Sequence, residues 1–300
     1  MLKNVIVTGG AGFIGGRVVQ SLLHLGVDPV VIDHNRAQLE VESYLGGIED
    51  PNSWTPLEGR SFDAIIHLAA RTSVLKSVED PHDVYLSNVA GSECVLEFAR
   101  RNDIPSVVFA STNAAVGNTE DGIITETSPL RPLTPYGSTK AAAEMLASAY
   151  HNSYGIATAM LRLTNVYGPT MWNKDSIIPR LFRFARGKGS FSIYGDGEQV
   201  RDFVYVDDVA RTFIELAERR TTTVVSYGSG SSLSVKALVQ LTSQISGVEL
   251  EPNHIAPQAG EMSGVTISLQ RSTELGLTTT VGLEEGLART WDDFLRHEAG

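Results

Sequence analysis

The sequence predicts an α/β fold, a doubly wound parallel sheet followed by a smaller, irregular α/β C-terminal part. Three observations carry this. Short β-branched runs, apolar on both faces, alternate with stretches of helical spacing, the pattern of a parallel sheet covered on both sides. A glycine-rich turn stands directly between the first such run and the first helical stretch. From about residue 165 the rhythm gives way to loop-rich sequence (YGPTMWNKDS, ARGKGS, YGDGEQ), with no repeat, low-complexity tract or Pro/Ser linker. The division expected is therefore 1–164 for the main sheet and 165–300 for the second part, with a strand near 224–227 returning to the sheet.

Taken in order, Asn4–Thr8 reads as the first strand, and Ile14, Val18 and Leu22, four apart, mark one face of the first helix. Pro29–Asp33 and Asp63–Leu68 read as the next strands. A helical stretch from about Asp83 to Arg101 precedes a fourth strand, Ser106–Ser111. Glu120–Pro135 is too polar and too long for a minimal connection, which suggests a segment that orders around a ligand. A helix over Tyr136–Tyr154 and strands at Ala157–Leu163 and Val224–Tyr227 complete the pattern.

The turn Thr8-Gly9-Gly10-Ala11-Gly12-Phe13-Ile14-Gly15 carries the first chemistry. Glycines at 9, 12 and 15 permit a tight turn, close approach of backbone amides to a pyrophosphate, and tight packing of helix on strand. The helix N-terminus adds partial positive charge. Asp33, ending the second strand, stands where a carboxylate accepts hydrogen bonds from an adenosine ribose and repels the 2′-phosphate of NADP, so NAD is favoured. Arg36 is the residue that would hold that phosphate instead.

Tyr136 and Lys140 stand four apart on a predicted helix and so share a face. A phenol has a pKa near 10, and a neighbouring ammonium together with a positively charged nicotinamide is expected to lower it. Ser111-Thr112 closes the fourth strand at the sheet edge where ligands gather, and a hydroxyl there can share a proton between a sugar hydroxyl and Tyr136.

Composition narrows the function classes. Among 300 residues, 24 Lys plus Arg face 35 Asp plus Glu, a formal charge of −11, and no basic block occurs. That argues against nucleic acid and anionic membrane as partners. The lone Cys94 excludes an internal disulfide or multi-cysteine metal site and reads as a small buried apolar side chain; no metal is expected. The segment MLKNVIVTGG lacks the apolar core of a signal peptide, and no apolar run approaches the roughly 20 residues of a membrane span, so a cytoplasmic location is expected.

The glycine turn, Asp33, Thr112 and the Tyr136/Lys140 pair, in this order, resemble the extended short-chain dehydrogenase/reductase family, in its nucleotide-sugar epimerase and dehydratase branch. The resemblance runs from about Lys3 to Leu295 through TGGAGFIG, HLAA (67–70), NVAGS (88–92), YGSTK, LRLTNVYGP (161–169), YGDGEQVRDFVYVDDVA (194–210) and GLEEGL (282–287). It implies a Rossmann-type domain holding NAD through Gly9, Gly12, Phe13, Ile14, Gly15, Asp33, His34, Asn35 and Arg36. It adds Ile48 near the adenine, the backbone of Leu68, Ala69 and Ala70, and Asn88, Ser111, Tyr136, Lys140 and Leu163. For an NDP-sugar substrate, UDP-linked by expectation, it implies Asn165 and Arg201 at the diphosphate, with Ser73, Thr112, Asn113, Tyr136, Ile178, Gln258 and Glu261 also lining the site. Thr112, Tyr136 and Lys140 are the implied catalytic residues, and His67 a packed neighbour of the cofactor. It further implies that the helices from about Asp83 to Arg101 and Tyr136 to Tyr154 pack against their copies in a four-helix homodimer interface.

The residues just after Thr112 separate the reactions of the branch. Members that eliminate water carry an acidic pair there, and those that decarboxylate carry a Glu; this chain has Asn113-Ala114-Ala115. Neither Asn nor Ala can remove a C5 proton or protonate a leaving hydroxyl. Epimerisation at C4 needs neither step, only oxidation, rotation of the 4-keto sugar and hydride return, and the small residues leave room for rotation. The expectation is an NAD-dependent 4-epimerase of a UDP-hexose or UDP-hexuronate. The alternatives are an NDP-sugar dehydratase, a 4-keto-sugar reductase, or an NAD-binding sensor or scaffold, which would have no need of the Tyr–Lys pair. Three positions depart from the family pattern: Val116 for a frequent Tyr, Gly47 for a frequent Asp, and Gln258 for a frequent second diphosphate Arg. Arg71 and the loop Met171–Ser176 are further positions expected to tune substrate choice.

Overall fold

The computed structural model describes residues 1–120, 122–256, 264 and 266–299. In chain order its strands are β1 Asn4–Thr8, β2 Asp28–Asp33, β3 Glu42–Leu45, β4 Ala64–His67, β5 Ser106–Thr112, β6 Ile123–Ile124 and β7 Ala157–Leu163. They continue with β8 Asn165–Tyr167, β9 Ser192–Tyr194, β10 Val200–Tyr205, β11 Thr223–Tyr227, β12 Ser232–Ser234, β13 Asn253–Ile255 and β14 Thr266–Ile267. The helices are α1 Phe13–His24, α2 Val74–Glu79, α3 Pro81–Tyr85, α4 Gly91–Arg101, α5 Pro135–Tyr154, α6 Ile177–Ala185, α7 Val206–Arg219, α8 Val235–Ser246, α9 Gln270–Glu274 and α10 Leu283–Ala299.

The chain forms two compact units, each assembled from three stretches: 1–119, 126–163 and 209–226 in the first, and 120–125, 164–208 and 227–300 in the second. The first unit is built on a sheet ordered β11-β7-β5-β4-β1-β2-β3. Thr8 pairs with Ile32 and with His67, His67 with Phe109, and Thr112 with Leu163, all in parallel ladders, so these strands end together at their carboxyl edge. Strand order reverses between β1 and β4, and in such sheets ligands bind in the crevice at that reversal. One face of the sheet presents Ile6, Ile32, Ile65, Val107 and Phe109 to Val95, Leu96 and Ala99 of α4 and Ala147 of α5, all at or below 1% exposure. Each fully buried aliphatic side chain there contributes about 2 kcal/mol.

Ile48, expected near the adenine, belongs to this same core: it is 3% exposed and packs where a side chain on Gly91 would otherwise stand. Strand β3 was not expected from sequence, because four residues at a sheet edge, two of them exposed and two half-buried, show no clear alternation.

In the second unit β10 runs antiparallel to β12 and parallel to β8. Tyr167 stacks edge-on against Phe203 and Tyr205, and Phe182 of α6 packs edge-on against Phe294 and at a tilt against Trp291 of α10. Asp202, 3% exposed, gathers the hydroxyls of Thr164 and Ser229 and the amides of Ser229 and Gly230. Among the described residues no helix is long and apolar enough to cross a membrane.

Candidate active site

Helix α5 begins where its sequence says it should. Thr134 caps it by accepting from Gly137 N at 3.3 Å, Pro135 takes the first position, and Gly155 ends it with φ 73°. Tyr136 is therefore in the first turn, where the helix dipole favours an anion, and Lys140 follows one turn on.

Three consecutive residues at the end of β5 meet this helix. Lys140 Nζ donates to Ala110 O at 3.0 Å, Ser111 Oγ donates to Glu144 Oε1 at 2.5 Å, and Thr112 hydrogen-bonds the Tyr136 phenol. The structure thus brings together Thr112, Tyr136 and Lys140. The expected lowering of the phenol is not a property of the protein alone: burial pushes Tyr136 up to about 12, and the Thr112 hydrogen bond acts the other way. Burial also brings Lys140 down to about 8, against the pull of the Glu144 carboxylate.

The glycine turn closes as its spacing requires. Gly9 has φ +72°, and a Cβ there would stand 2.6 Å from Ala69 N; a Cβ on Gly15 would fall onto the Gly9 carbonyl. At exposed Gly12 a Cβ would meet only Gly9 O, at 3.1 Å, and no side chain caps α1. An uncapped helix start at an exposed glycine fits a pyrophosphate. Phe13 and Ile14 are half-buried at the same helix start. Asp33 sits beside it: Oδ2 accepts from Ala11 N at 3.0 Å and Oδ1 from Asn35 N at 2.9 Å. His34, Asn35 and Arg36 lie exposed beyond the strand.

Behind the turn runs a buried polar chain. Ser92 Oγ donates to Asn88 O at 2.6 Å, so its lone pair accepts from His67 Nε2 at 3.2 Å, and His67 Nδ1 accepts from Thr8 Oγ1 at 2.7 Å. Thr8 Oγ1 in turn accepts from the amides of Leu68 and Ala69, both at 3.3 Å, which fixes the backbone entering Ala70. Burial pushes His67 down to about 3, so it is neutral, as a residue that accepts on one nitrogen must be.

Asn88 lies on a π-helical turn, Leu86–Ala90, of the kind often found at functional sites. Its Oδ1 accepts from Arg71 N at 2.8 Å, and its Nδ2 donates to Arg71 O and Thr139 Oγ1, both at 3.0 Å, while Thr139 donates to Tyr136 O. Its side chain holds the loop after Ala70 against the turn that carries Tyr136. Ser73 caps α2, accepting from Lys76 N. Leu163 is buried at the end of β7. Asn113 is half-buried, and its Oδ1 is buried without a hydrogen-bond partner.

In the second unit, exposed Asn165 donates to Asp202 O at 2.9 Å, and half-buried Arg201 donates to Val200 O at 2.9 Å. Ile178 is 2% exposed within α6. Gln258 and Glu261 lie outside the described residues. Among the described residues no cluster of three His, Cys, Asp or Glu side chains is placed to hold a metal ion.

Sequence reasoning missed a buried ion pair. Arg162, 2% exposed on β7, donates to Glu144 of α5 through Nε at 3.0 Å and Nη2 at 2.7 Å. The signals were a charged arginine inside the strand ATAMLRL and a glutamate one further turn along from Tyr136 and Lys140.

Comparison with known proteins identifies the family and the fold. The profile of the NAD dependent epimerase/dehydratase family matches residues 5–226. A putative UDP-glucose 4-epimerase of Methanocaldococcus jannaschii is 32% identical over 294 residues, covering 95% of this chain and 96% of its own. A dTDP-glucose 4,6-dehydratase of Streptomyces griseus is 31% identical over 322 residues, covering 100% and 96%. The crystal structure of a UDP-glucose 4-epimerase with UDP-glucose, from Thermotoga maritima, superposes with a TM-score of 0.93 at 32% identity, covering 98% of this chain and 99% of its own.

Proposed function

The chain belongs to the NAD-dependent epimerase/dehydratase family, and from that membership we propose that it is a nucleotide-sugar 4-epimerase acting on a UDP-hexose or UDP-hexuronate. NAD is its cofactor, and the glycine turn, the uncapped start of α1 and Asp33 are the residues that fit it. The observation that carries the choice of reaction is the turn after Thr112. Asn113, Ala114 and Ala115 offer no carboxyl group to an elimination, and relatives of this family include dehydratases as well as epimerases.

When bound, NAD supplies the acceptor of the hydride leaving sugar C4, its later donor, and a positive charge beside the phenol. The protein's part is proton transfer and placement. Tyr136 takes the proton of the 4-hydroxyl as phenolate and returns it after the keto sugar has turned over, with Thr112 holding the sugar oxygen and the phenol in one hydrogen-bonded line. The hydrogen bond from Thr112 acts against the burial that raises the phenol, and the start of α5 favours an anion there. Asn113 Oδ1, a buried acceptor without a donor, takes a sugar hydroxyl, and Asn165 and Arg201 take the diphosphate, for which a guanidinium fork is suited. Ser73, Ile178, Gln258 and Glu261 belong to the same proposed substrate set.

The test is proton NMR of the anomeric region for a panel of UDP-, dTDP-, GDP- and ADP-hexoses and hexuronates with added NAD. Approach to a two-epimer equilibrium without accumulating NADH is expected. A 4-keto-6-deoxy product would replace this reading with elimination, and NAD binding with no turnover would favour a sensor or scaffold. Exposed Tyr85 and Leu86 at the end of α3, and Met145 and Tyr154 on α5, support the further proposal of a homodimer through these helices, which sedimentation equilibrium would read directly.

A further inference from the structure

The buried ion pair behind the site is tied to both elements that carry the catalytic groups. Resting on the epimerase reading, we propose that Glu144, gripped by Arg162 and Ser111, is a positioning residue that sets Tyr136 and Lys140 against the end of β5 and holds Lys140 in its charged form.

The geometry is a three-rung join between one strand end and one helix. Ala110 O receives Lys140 Nζ, Ser111 Oγ reaches Glu144, and Thr112 meets Tyr136. Tyr136, Lys140 and Glu144 are spaced by four along α5, so one face of the helix supplies all three rungs. Glu144 is the only one of them also held from a second strand, by the paired nitrogens of Arg162 on β7, which sits beside Ser111 in the sheet register. A slip of α5 along the sheet would break a bidentate charged contact and the Ser111 bond together, whereas the Lys140 and Thr112 rungs are single hydrogen bonds.

The second effect is electrostatic. The titratable and charged groups around Lys140 are Tyr136 and Glu144 on its own helix, His67 on β4, and Arg162 on β7 behind Glu144. His67 is neutral, and Lys140 is buried to 6% exposure, so desolvation disfavours its ammonium. The carboxylate of Glu144 opposes that loss.

The test reads Lys140 directly. With six lysines in the chain, lysine-selective carbon labelling resolves the titration of Lys140 in the intact protein, assigned by Lys140→Arg. In the unaltered protein it is expected close to 8. In Glu144→Gln it is expected about one unit lower, with kcat at pH 7.5 reduced about tenfold, its alkaline limb moved to lower pH, and KM and NAD affinity unchanged. If Glu144→Gln does not fold, because it leaves the Arg162 guanidinium buried without its carboxylate, the uncharged pair Glu144→Gln/Arg162→Gln takes its place with the same readouts. A Lys140 titration that does not move, or a fall in kcat matched by equal losses in NAD and sugar binding, would overturn the proposal. Because the titration needs no turnover, a failure of the epimerase reading would show as inactivity of the unaltered protein and leave this readout standing.

Discussion

His67 ties stability to pH through a single buried ring. The folded protein holds it neutral down to about 3, whereas in the unfolded chain it titrates near 6.5. Above pH 6.5 both states are neutral and the fold keeps its full stability. As pH falls from 6.5 towards 3 the unfolded chain gains a proton that the folded one cannot accept, and stability declines by on the order of 4 kcal/mol. Urea unfolding across that range is expected to show this slope, and His67→Asn to flatten it by about one proton. Tyr136→Phe is the complementary case: it removes a hydroxyl that makes a hydrogen bond to Thr112 and leaves the glycine turn untouched. Calorimetry should find NAD affinity within about twofold of the original, while turnover falls by at least 10³; normal turnover would sink the assigned role. Both members of the Tyr136/Lys140 pair were legible in the sequence because a spacing of four on a helix fixes their shared face. The phenol's upward shift was not, since burial is decided by chain segments far from Tyr136 in sequence.

At the scale of single elements, the turn before α1 separates two kinds of glycine. Gly15→Ala would drive a methyl into the Gly9 carbonyl, which cannot yield without opening the turn, so both thermal stability and NAD affinity are expected to fall, the latter by more than tenfold. Gly12→Ala meets a single atom at 3.1 Å and faces outward, so its melting temperature should stay within a few degrees while NAD binding weakens. Differential scanning calorimetry with and without NAD distinguishes the two; equal melting temperatures for both variants would contradict this account. The strands around this turn were readable because parallel strands buried on both faces are continuous apolar runs. Strand β3 was not, being short, polar and at an edge, and the π turn that aims Asn88 was not, because its residues Leu86–Ala90 have ordinary helical propensities. The Glu144–Arg162 pair escaped for a related reason: its partners lie 18 residues apart on different elements, and only the packing of α5 on β7 joins them.

For the molecule as a whole, the first unit is not a continuous stretch of chain. Residues 1–163 include six strands of its sheet but lack β11 and the part of α7 that buries Val209, Phe213, Leu216 and Ala217 at or below 1% exposure. A fragment ending at Leu163 is therefore expected to lose cooperative unfolding, which circular dichroism against urea would detect; a sharp transition matching the full chain would refute this. The pattern of the sequence showed where the alternation breaks near residue 165 and pointed to a strand near 224–227 returning to the sheet, but not that part of α7 completes the first unit's packing, because a helix's packing partners distant in sequence leave no local trace. That arrangement also bears on how the chain is made. Strand β11 starts about 60 residues after β7 ends, so during synthesis at about 5–20 residues per second the apolar edge of β7 waits unpaired for roughly 3–12 s. An open strand edge is an invitation to pair with another chain, and the yield of this protein in a cell should depend on what shields Ala157–Leu163 on the ribosome during that interval.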